Sequence, residues 1–578
     1  MNQTLDSHDA EVTVAQHPTG DKLTTKNDVA CRSRRSFLQK AGAFATAGCA
    51  ASAIGAGVLS APQQASAQGS DQPDSSQRLR QCFMLRNQAA IRDRNAGVPD
   101  HRTNGDESRY PNRVGNYSKG LPHNNIGEVD PAAYRSLLQA VGSGDPRDFE
   151  NIIMGGTTRL VNPQSGLAFD MEGLDSHQFA QAPSPALASA QRAGEAVEVY
   201  WMALLRDVNF TQYGSDPAAL QAADEISRLS DFRGPKTNGR ITSQTLFRGF
   251  TAGDLVGPYV SQFLLQPITY GAIPIDQRFI TYLPLNAGGA DYLTDAASWL
   301  SVQNGIPPSL SNRVDPVYRH ARNGRDLSAY VHVDVLFEAY LNACLWLVDN
   351  GASLNPGNPY NSSSNQTGFG TFGAPHFKTI VAEVATRALK AVWYQKWFVH
   401  RALRPEEYGG LVHSTMTHAA SYPLHADVLN SQAVAAAFSR NGTYFLPEAF
   451  PEGCPQHPSY GAGHATVAGA CTTVLKAFFD ESWVIPDPMV ASEDGLSLVP
   501  YTGSDAGQIT VGGESNKVAA NIAVGRNHAG VHWRSDYQDS LLLGEAVAIS
   551  VLRDQRNCYN EAFSGLTFTR FDGTTVTI

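Results

Sequence analysis

The sequence predicts a mainly α-helical protein in which helical bundles are joined by long irregular connections. Several segments carry apolar residues at the three- and four-residue spacing that forms one helix face. Between them lie stretches rich in Gly, Pro and Asn, which favour turns and coil. With 578 residues, 42% of them hydrophobic, the chain is long and apolar enough to build one large core or several smaller ones.

The N-terminal residues carry a targeting pattern. Residues 33–38 read SRRSFL, an Ala- and Gly-rich stretch covers 41–60, and the small residues Ala65, Ser66 and Ala67 follow. This order is typical of a twin-arginine signal peptide over residues 1–67, which predicts export to the periplasm or the extracellular space. An N-terminal membrane anchor is the alternative. We expect a disordered linker at 68–80 and one large domain over 81–578.

The elements of that domain are predicted in chain order. From Cys82 to about Asp175 we expect extended coil and short turns. A helix capped by Ser184 and begun by Pro185 should follow and run to about 208. Further helices are expected at 328–350, which is apolar nearly all round, and at 376–403, 464–480 and 516–529. Ser535 or Asp536 should cap a last helix to about Arg553, before a strand or extended tail.

Composition excludes several classes of protein. The net charge is -10 and no basic tract is present, which argues against nucleic-acid binding. After the leader, the sequence contains no uninterrupted run of 18 apolar residues, so we predict no transmembrane helix there. Five widely spaced cysteines remain beyond residue 67, a pattern of neither a zinc site nor a dense disulfide framework, although one or two disulfides stay open.

The first segment with candidate chemistry is KWFVHRALRP, with Lys396 and Arg404. In a straight helix these two residues would lie about 12 Å apart along the axis. Pro405 disfavours helix at Arg404, so a turn there could bring both cations to one anion. Taken alone, this segment is more simply explained as a solvated cationic face, because Lys and Arg are commonly exposed.

The second segment is HPSYGAGHATVAGA, in which Gly461 and Gly463 precede His464. A Gly-rich turn into a helix presents free backbone N–H groups and a positive dipole end to an anion. His464 would stand beside that anion and could exchange protons near neutral pH. An ordinary helix start with a surface histidine is the alternative.

The third segment is GRNHAGVHWRSD, with Arg526 and His532 six residues apart. Arg526 offers a planar fork to an oxyanion, and His532 could ligate a metal or act as a nucleophile. Asp536 could orient His532 or cap the next helix, and we favour the cap. His528 has no evident role in this pattern.

Taken together and in this order, the three segments resemble the signature of the superfamily of vanadium haloperoxidases and one class of acid phosphatases. Over roughly 82–578 the chain resembles the algal-type vanadium bromoperoxidases, in stretches that include KGLPHNNIGEVD, RLVNPQSGLAFDMEG, VEVYWMALLRDVNF, YVHVDVLFEAYLNA, GFGTFGAPH and FDGTTVTI. The seven residues between Lys396 and Arg404 fit that type, and so does His457, which matches an additional active-site histidine of bromoperoxidases.

The resemblance implies a cofactor and a set of residues to hold it. Vanadate would bind His532, with its oxygens neutralised by Lys396, Arg404, Arg526 and the N–H of Gly463, in a site within residues 390–540. His464 would assist proton transfer and Lys396 would polarise bound peroxide. Vanadium would remain V(V) and act as a Lewis acid, so no haem or flavin is implied.

Three further residues complete the expected surroundings. Asp334 is a candidate partner for Arg526, or else a carboxylate on a helix surface. Trp393, one helical turn before Lys396, would form an aromatic wall. Ala462 stands where the family usually has a serine that hydrogen-bonds vanadate, and this departure predicts altered affinity or rate.

The implied activity is oxidation of bromide and iodide by hydrogen peroxide to hypohalous acid, which halogenates small organic acceptors. The polar His457 leads us to expect poor oxidation of chloride. The alternative function is a phosphomonoesterase with His532 as nucleophile. The implied fold is all-α, two four-helix bundles in one large helical unit, and a homo-oligomer is expected.

Overall fold

The computed structural model describes residues 74–578 and is built mainly from helices. The predicted signal peptide at 1–67 lies outside the described residues. The α-helices, in chain order, are α1 (Ser75–Ala96), α2 (Asp106–Arg109), α3 (Pro131–Ser143), α4 (Pro146–Glu150), α5 (Ala190–Leu204), α6 (Pro217–Ser227), α7 (Ala296–Gln303), α8 (Gly324–Val333), α9 (Glu338–Asp349), α10 (Ala374–Tyr394), α11 (Pro405–Met416), α12 (Ala426–Leu429), α13 (Gln432–Asn441), α14 (Gly463–Phe478), α15 (Val511–His528) and α16 (Arg534–Arg556).

The strands are short and form three separate antiparallel hairpins. They are β1 (Ile268–Tyr270) with β2 (Ile273–Ile275), β3 (Met489–Ala491) with β4 (Leu498–Pro500), and β5 (Thr567–Thr569) with β6 (Thr575–Thr577). The last hairpin confirms the strand expected at the C-terminal tail. The predicted mainly helical class with long irregular connections is confirmed.

Helix α14 is the central element of the core and packs against α10, α15 and α16. All its residues are buried except His464. It crosses α16 closely because a Cβ on Gly469 would collide with the backbone of Leu541, and one on Gly544 would collide with the backbone of Thr466. This close crossing fixes the N-terminal ends of α14 and α16 relative to each other, and these ends carry two of the candidate histidines.

The single helix predicted at 328–350 is wrong, because α8 and α9 meet there at 99°. The carbonyl of Val331, which a continuous helix would bond to the amide of Val335, instead accepts from Arg526. Asp334 is extended at the end of α8, with φ -63° and ψ 145°. The helix is therefore interrupted where Val331 and Asp334 form hydrogen bonds with residues of α15 and α14.

The region from Cys82 to Asp175 holds more helix than expected. Helix α1 begins at Ser75, within the linker expected at 68–80, and residues 68–73 lie outside the described part. Helix α3 begins behind Asp130, whose side chain accepts from two backbone amides, with Pro131 as its first residue. Both features are helix-start signals that the abundance of Gly and Pro obscured.

Other helix boundaries shift by a few residues. The cap predicted at Ser184 is wrong, since α5 begins at Ala190 and Ser189 accepts from the amide of Arg192. The segment predicted at 376–403 ends as α-helix at Tyr394 and continues as a π-helical turn over Gln395–His400. The helices expected at 464–480 and 516–529 correspond to α14 and α15.

The described residues can be compared with the expectations on membrane spans and on disulfides. Between residues 74 and 578, no single helix is both long and apolar enough to cross a bilayer, and only the bent α8–α9 pair meets the length and composition criteria. Cys82, Cys344, Cys454, Cys471 and Cys558 are all free thiols, so the structure forms neither of the disulfides that the sequence left open.

Candidate active site

The three motif segments converge at the N-terminal ends of α11, α14 and α16 and the C-terminal end of α15. Lys396 comes from the π-helical turn after α10, and Arg404 directly precedes α11. His464 lies in the first turn of α14, Arg526 in the last turn of α15, and His532 just before α16. The sequence-predicted residues therefore form one cluster.

Lys396 is fully buried, so it does not belong to a solvated face. Its Nζ donates to the carbonyl oxygens of Pro458 at 2.7 Å and Ser459 at 2.9 Å. Burial, and after it the nearby charge of Arg404, hold the pKa of Lys396 well below its usual 10.5. An anion beside the ammonium group would oppose both effects and favour the charged form.

Arg404 is also fully buried and contacts both neighbouring histidines. Its Nε donates to the carbonyl oxygen of His457 at 2.9 Å, and its Nη2 lies 3.0 Å from the Nδ1 of that ring. Its Nη1 donates to the carbonyl of Val531 at 2.6 Å and lies 3.0 Å from His532 Nε2. The turn predicted from Pro405 is present, with Arg404 extended at ψ 159°.

Glu407 fixes the backbone of that turn, and the sequence analysis missed it. Its carboxylate accepts from the amide of Arg404 at 2.8 Å, three residues earlier. A Glu three residues into a helix is the signature of a capping box, so a search for helix starts could have found it.

Arg526 completes the set of cations. Its Nη1 donates to the carbonyl of Val331 at 2.6 Å, and its buried Nε has no partner. Burial and the charge of Arg404 lower the pKa of Arg526 to about 10. Within residues 74–578, none of Lys396, Arg404 and Arg526 forms an ion pair with a carboxylate. Three buried positive charges without a directly paired carboxylate are costly, and a bound anion would relieve that cost.

His532 is oriented by Asp536. Its Nδ1 lies 2.7 Å from Asp536 Oδ2, which also accepts from the amide of Trp533 at 3.2 Å and from the Ser459 hydroxyl. Asp536 therefore has both of the roles considered for it, because one carboxylate orients His532 and accepts from an amide at the start of α16. The N-cap residue of that helix is Trp533, not Ser535 or Asp536. Nothing in its local sequence marked Ser459 for this contact.

The protonation state of His532 suits a ligand. Burial, and then the charges of Arg404 and Lys396, hold its pKa well below 6.5, so the imidazole is neutral. With the proton on Nδ1 directed to Asp536, the lone pair of Nε2 is directed toward the cations.

His464 pairs with Asp334, whose Oδ1 lies 3.0 Å from His464 Nε2. The expected side-chain partnership of Asp334 with Arg526 is wrong, since Arg526 takes the neighbouring Val331 carbonyl instead. The side chain of His464 is 16% exposed, against 2% for His532. Burial lowers the pKa of His464, while the Asp334 carboxylate opposes that shift.

Trp393 forms one wall of the cluster. Its ring centroid lies 4.8 Å from that of His457, and Lys396 Nζ lies 5.6 Å from its centroid. A Cβ on Gly463 would lie 3.1 Å from the Trp393 ring, which leaves little room for a side chain there. Burial and the charges of Lys396 and Arg404 hold the pKa of His457 well below 6.5.

Two other positions stand apart from the cations. Ala462 is the N-cap residue of α14, is buried, and makes no side-chain cap hydrogen bond. His528 is buried beside Phe247, with ring centroids 5.5 Å apart, and contacts none of the three cations. It belongs to the core, in agreement with its lack of a role in the motif.

Comparisons with known proteins place this geometry in a family. A model described as the VCPO second helical-bundle domain matches residues 377–561. The vanadium-dependent bromoperoxidase of Corallina pilulifera is 36% identical over 595 residues, covering 87% of this chain and 98% of its own. That of Corallina officinalis is also 36% identical, covering 83% and 95% of the two chains.

A solved structure agrees over nearly the whole chain. The homohexameric second vanadate-dependent bromoperoxidase of Ascophyllum nodosum superposes with a TM-score of 0.85 at 32% identity, covering 90% of this chain and 94% of its own. Identity above 30% over most of both lengths, together with a shared fold, establishes the relationship. The chain belongs to the vanadium-dependent bromoperoxidase family.

Proposed function

We propose that this chain binds orthovanadate and uses hydrogen peroxide to oxidise bromide and iodide to hypohalous acid, and chloride poorly. The observation that carries the proposal is the buried set of Lys396, Arg404 and Arg526, without carboxylate partners, around the neutral His532. A multiply charged tetrahedral oxyanion fits this set, because it supplies the missing negative charge and needs donors from several directions.

The residues that would hold vanadate are the three cations, the backbone N–H of Gly463 and the Nε2 of His532. The N–H of Gly463 is among the free amides at the start of α14. When bound, vanadium(V) supplies Lewis acidity toward peroxide and remains in that oxidation state. Nothing in this chemistry requires haem or flavin.

His464 and Asp334 would handle protons in the reaction. Oxidation of a halide ion by hydrogen peroxide to hypohalous acid and water consumes one proton. His464 is partly exposed and has a carboxylate partner, so it can take a proton from solvent and deliver it within the site. Lys396, held by two carbonyl oxygens, would donate a hydrogen bond to bound peroxide.

His457 and Trp393 would shape the halide environment. The neutral imidazole of His457 accepts from Arg404 and lies against Trp393 with the two ring planes tilted by 38°, which puts a polar group beside the cations. Its hydrogen bonding and hydration should lower the oxidising power available at the site, which favours bromide and iodide over chloride.

We further propose a homo-oligomer of subunits, each with two four-helix bundles. The homohexameric Ascophyllum nodosum relative supports the assembly, and the packing of α14 against α10, α15 and α16 supports one of the bundles. The SRRSFL pattern and the Ala65-Ser66-Ala67 site support export through the twin-arginine pathway. In a host with this pathway, Arg34→Lys/Arg35→Lys should keep the chain inside the cell.

The direct test is bromination of monochlorodimedone by apo-protein, with and without added orthovanadate. We expect activity only with vanadate, and inhibition by phosphate, which fits the same cations. Hydrolysis of p-nitrophenyl phosphate, measured in parallel, tests the alternative. Vanadate-independent bromination, or phosphatase activity in its place, would overturn the proposal.

A further inference from the structure

A second polar cluster lies beside the cations and has no part in the chemistry above. His332 Nε2 lies 2.6 Å from Glu452 Oε1, and the Tyr282 hydroxyl contacts His332 Nδ1. Asn312 Nδ2 lies 3.3 Å from the same Nδ1. Phe450 stacks on the imidazole, with centroids 3.7 Å apart and planes 10° apart. The imidazole is thus held in one orientation by four neighbours.

The cluster adjoins the candidate site directly. His332 stands in the last turn of α8, between Val331, whose carbonyl accepts from Arg526, and Asp334, which pairs with His464. The Arg526 guanidinium carbon lies 5.8 Å from the centroid of the Phe450 ring on which His332 stacks. His332 therefore lies between two residues that contact the candidate site, Val331 and Asp334, and stacks on a ring that lies near Arg526.

Solvent reaches the cluster as well. The side chains of His332 and Glu452 are 21% and 31% exposed, whereas Lys396 and Arg404 are fully buried. Val333 and Val335, on either side of Asp334, are 70% and 56% exposed. His464, which is hydrogen-bonded to Asp334, is more exposed than His532. The break between α8 and α9 therefore presents an exposed apolar rim on either side of Asp334, the partner of His464, and the partly exposed Glu452 carboxylate is held by the neighbouring His332.

We propose that Glu452, His332 and the Val333–Val335 rim form a subsite for the organic acceptor, and that it selects hydroxylated aromatic or enolic molecules. The inference rests on the proposed function. Glu452 accepts the acceptor's O–H, and the valines contact its apolar part. Hydrogen bonding and proximity to His332 lower the pKa of Glu452, against its burial, so it is an ionised acceptor.

The halogenation step balances without another reagent. The electron-rich carbon of the acceptor forms a bond to the halogen of hypohalous acid while the oxygen–halogen bond breaks. The hydroxide that leaves combines with the proton lost from the same carbon to give water. Glu452 need only orient the acceptor beside the cation cluster at which the oxidant forms.

The test separates halide oxidation from acceptor choice. Vanadate-loaded protein is given bromide and peroxide without acceptor, and dioxygen release from the reaction of hypobromous acid with peroxide is measured. It is then given a phenol and its methyl ether in competition, and the product ratio is compared with that from added hypobromous acid. Glu452→Gln is the main variant. Val333→Ser is a second variant that should leave the fold intact, because Val333 is exposed. Glu150→Gln, at an exposed residue outside the proposed subsite, is the control.

We expect the unaltered protein to favour the phenol beyond the ratio of free hypobromous acid. Glu452→Gln keeps a neutral acceptor in place of the charged one, so it should lose about fivefold of this preference, which corresponds to ~1 kcal/mol, with dioxygen release unchanged. A wild-type ratio equal to that of the free reagent overturns the subsite, as does a ratio that stays unchanged in both Glu452→Gln and Val333→Ser. If the unaltered, vanadate-loaded protein releases no dioxygen from bromide and peroxide, that result would instead refute the proposed function.

Discussion

At the scale of single residues, the site is governed by the cost of burying positive charge. Among the described residues 74–578, the side chains of Lys396, Arg404 and Arg526 have only carbonyl oxygens and imidazole nitrogens as hydrogen-bond partners. Burial and mutual repulsion lower the pKa of Lys396 and Arg526. An oxyanion should therefore bind tightly, because it removes a penalty that the protein already carries.

His532→Ala should abolish vanadate binding. The substitution removes the Nε2 lone pair, and loss of a ligand should cost at least the roughly 100-fold in affinity that loss of its hydrogen-bonded support can cost. Vanadium retained after equilibrium dialysis is the measurement. His528→Gln, a buried histidine four residues away, is the matched control and should keep its vanadium. A His532→Ala protein that binds vanadate normally would rule out this ligand.

Ala462→Ser should tighten vanadate binding by up to roughly tenfold, since one neutral hydrogen bond contributes about 0.5–1.5 kcal/mol and ~1.4 kcal/mol is one decade in affinity. A serine at this N-cap position can also bond to free amides of α14, which would stabilise the fold by about 1 kcal/mol. Calorimetric titration measures the first effect and unfolding of apo-protein the second. Higher stability with unchanged affinity would show that the hydroxyl caps the helix and leaves the anion alone.

Sequence reasoning reached the site residues but not all their partners. Spacing and the Pro405 turn brought Lys396 and Arg404 together, as the structure has them. The partners of Asp334 and Asp536 depend on where α8 ends and on distances between elements, which a local pattern does not contain. Asp536 serves two acceptor roles because His532 and the start of α16 share one turn.

At the scale of elements, the crossing of α14 and α16 positions His464 and His532 relative to each other. Gly544→Ala should destabilise the fold by about 1–3 kcal/mol, because a Cβ there meets the backbone of Thr466 and the helices must separate. Denaturant unfolding should show a lower free energy of unfolding, and vanadate titration should show a weaker affinity for vanadate.

Gly142→Ala is the control for that crossing. Gly142 lies in α3, where a Cβ meets nothing within 4 Å, so alanine should be neutral or stabilise by up to about 1 kcal/mol. Equal effects of the two substitutions would contradict the account of the close crossing.

Helix positions were predictable where apolar periodicity is strong, and their ends were not. Helices α14 and α15 follow their predicted ranges within a few residues. The apolar run at 328–350 gave no sign of its break, because the residue that captures the Val331 carbonyl, Arg526, lies nearly 200 positions away in the chain. Such long-range competition for a backbone group is invisible to a local pattern.

At the scale of the whole molecule, buried histidines should make stability depend on pH. Burial and the charge of Arg206 hold the pKa of His528 at about 3, below its usual 6.5. The unfolded chain then binds the proton more tightly, so this contribution to stability is present above pH 6.5 and is lost as pH falls toward 3.

His528→Gln isolates that contribution from the buried carboxyl groups, whose raised pKa values act in the opposite sense. As pH falls below 6.5, the stability advantage of the unaltered protein over the variant should shrink by up to about 1.4 kcal/mol per pH unit. Urea unfolding between pH 7.5 and pH 5 measures it. Parallel curves for the two proteins would contradict the assigned pKa direction.

The mainly helical class and the presence of helical bundles followed from periodicity, and the arrangement as two four-helix bundles was expected only through resemblance. Periodicity marks which face of a helix is buried but not which helix covers it. The partners of α14 depend on Gly469 and Gly544, whose importance appears only once the crossing is seen. The α1 helix was missed because no residue in it is buried, so it has no apolar face to predict it.

The central claim is that bound vanadate, held by this cluster, carries the activity. Apo-protein should be titrated with orthovanadate while bound vanadium and bromination rate are measured on the same samples. We expect the rate to rise in proportion to bound vanadium and to level off at one vanadium per chain, with phosphate displacing both together. Full bromination without vanadium, or vanadium bound at one per chain without activity, would contradict the account.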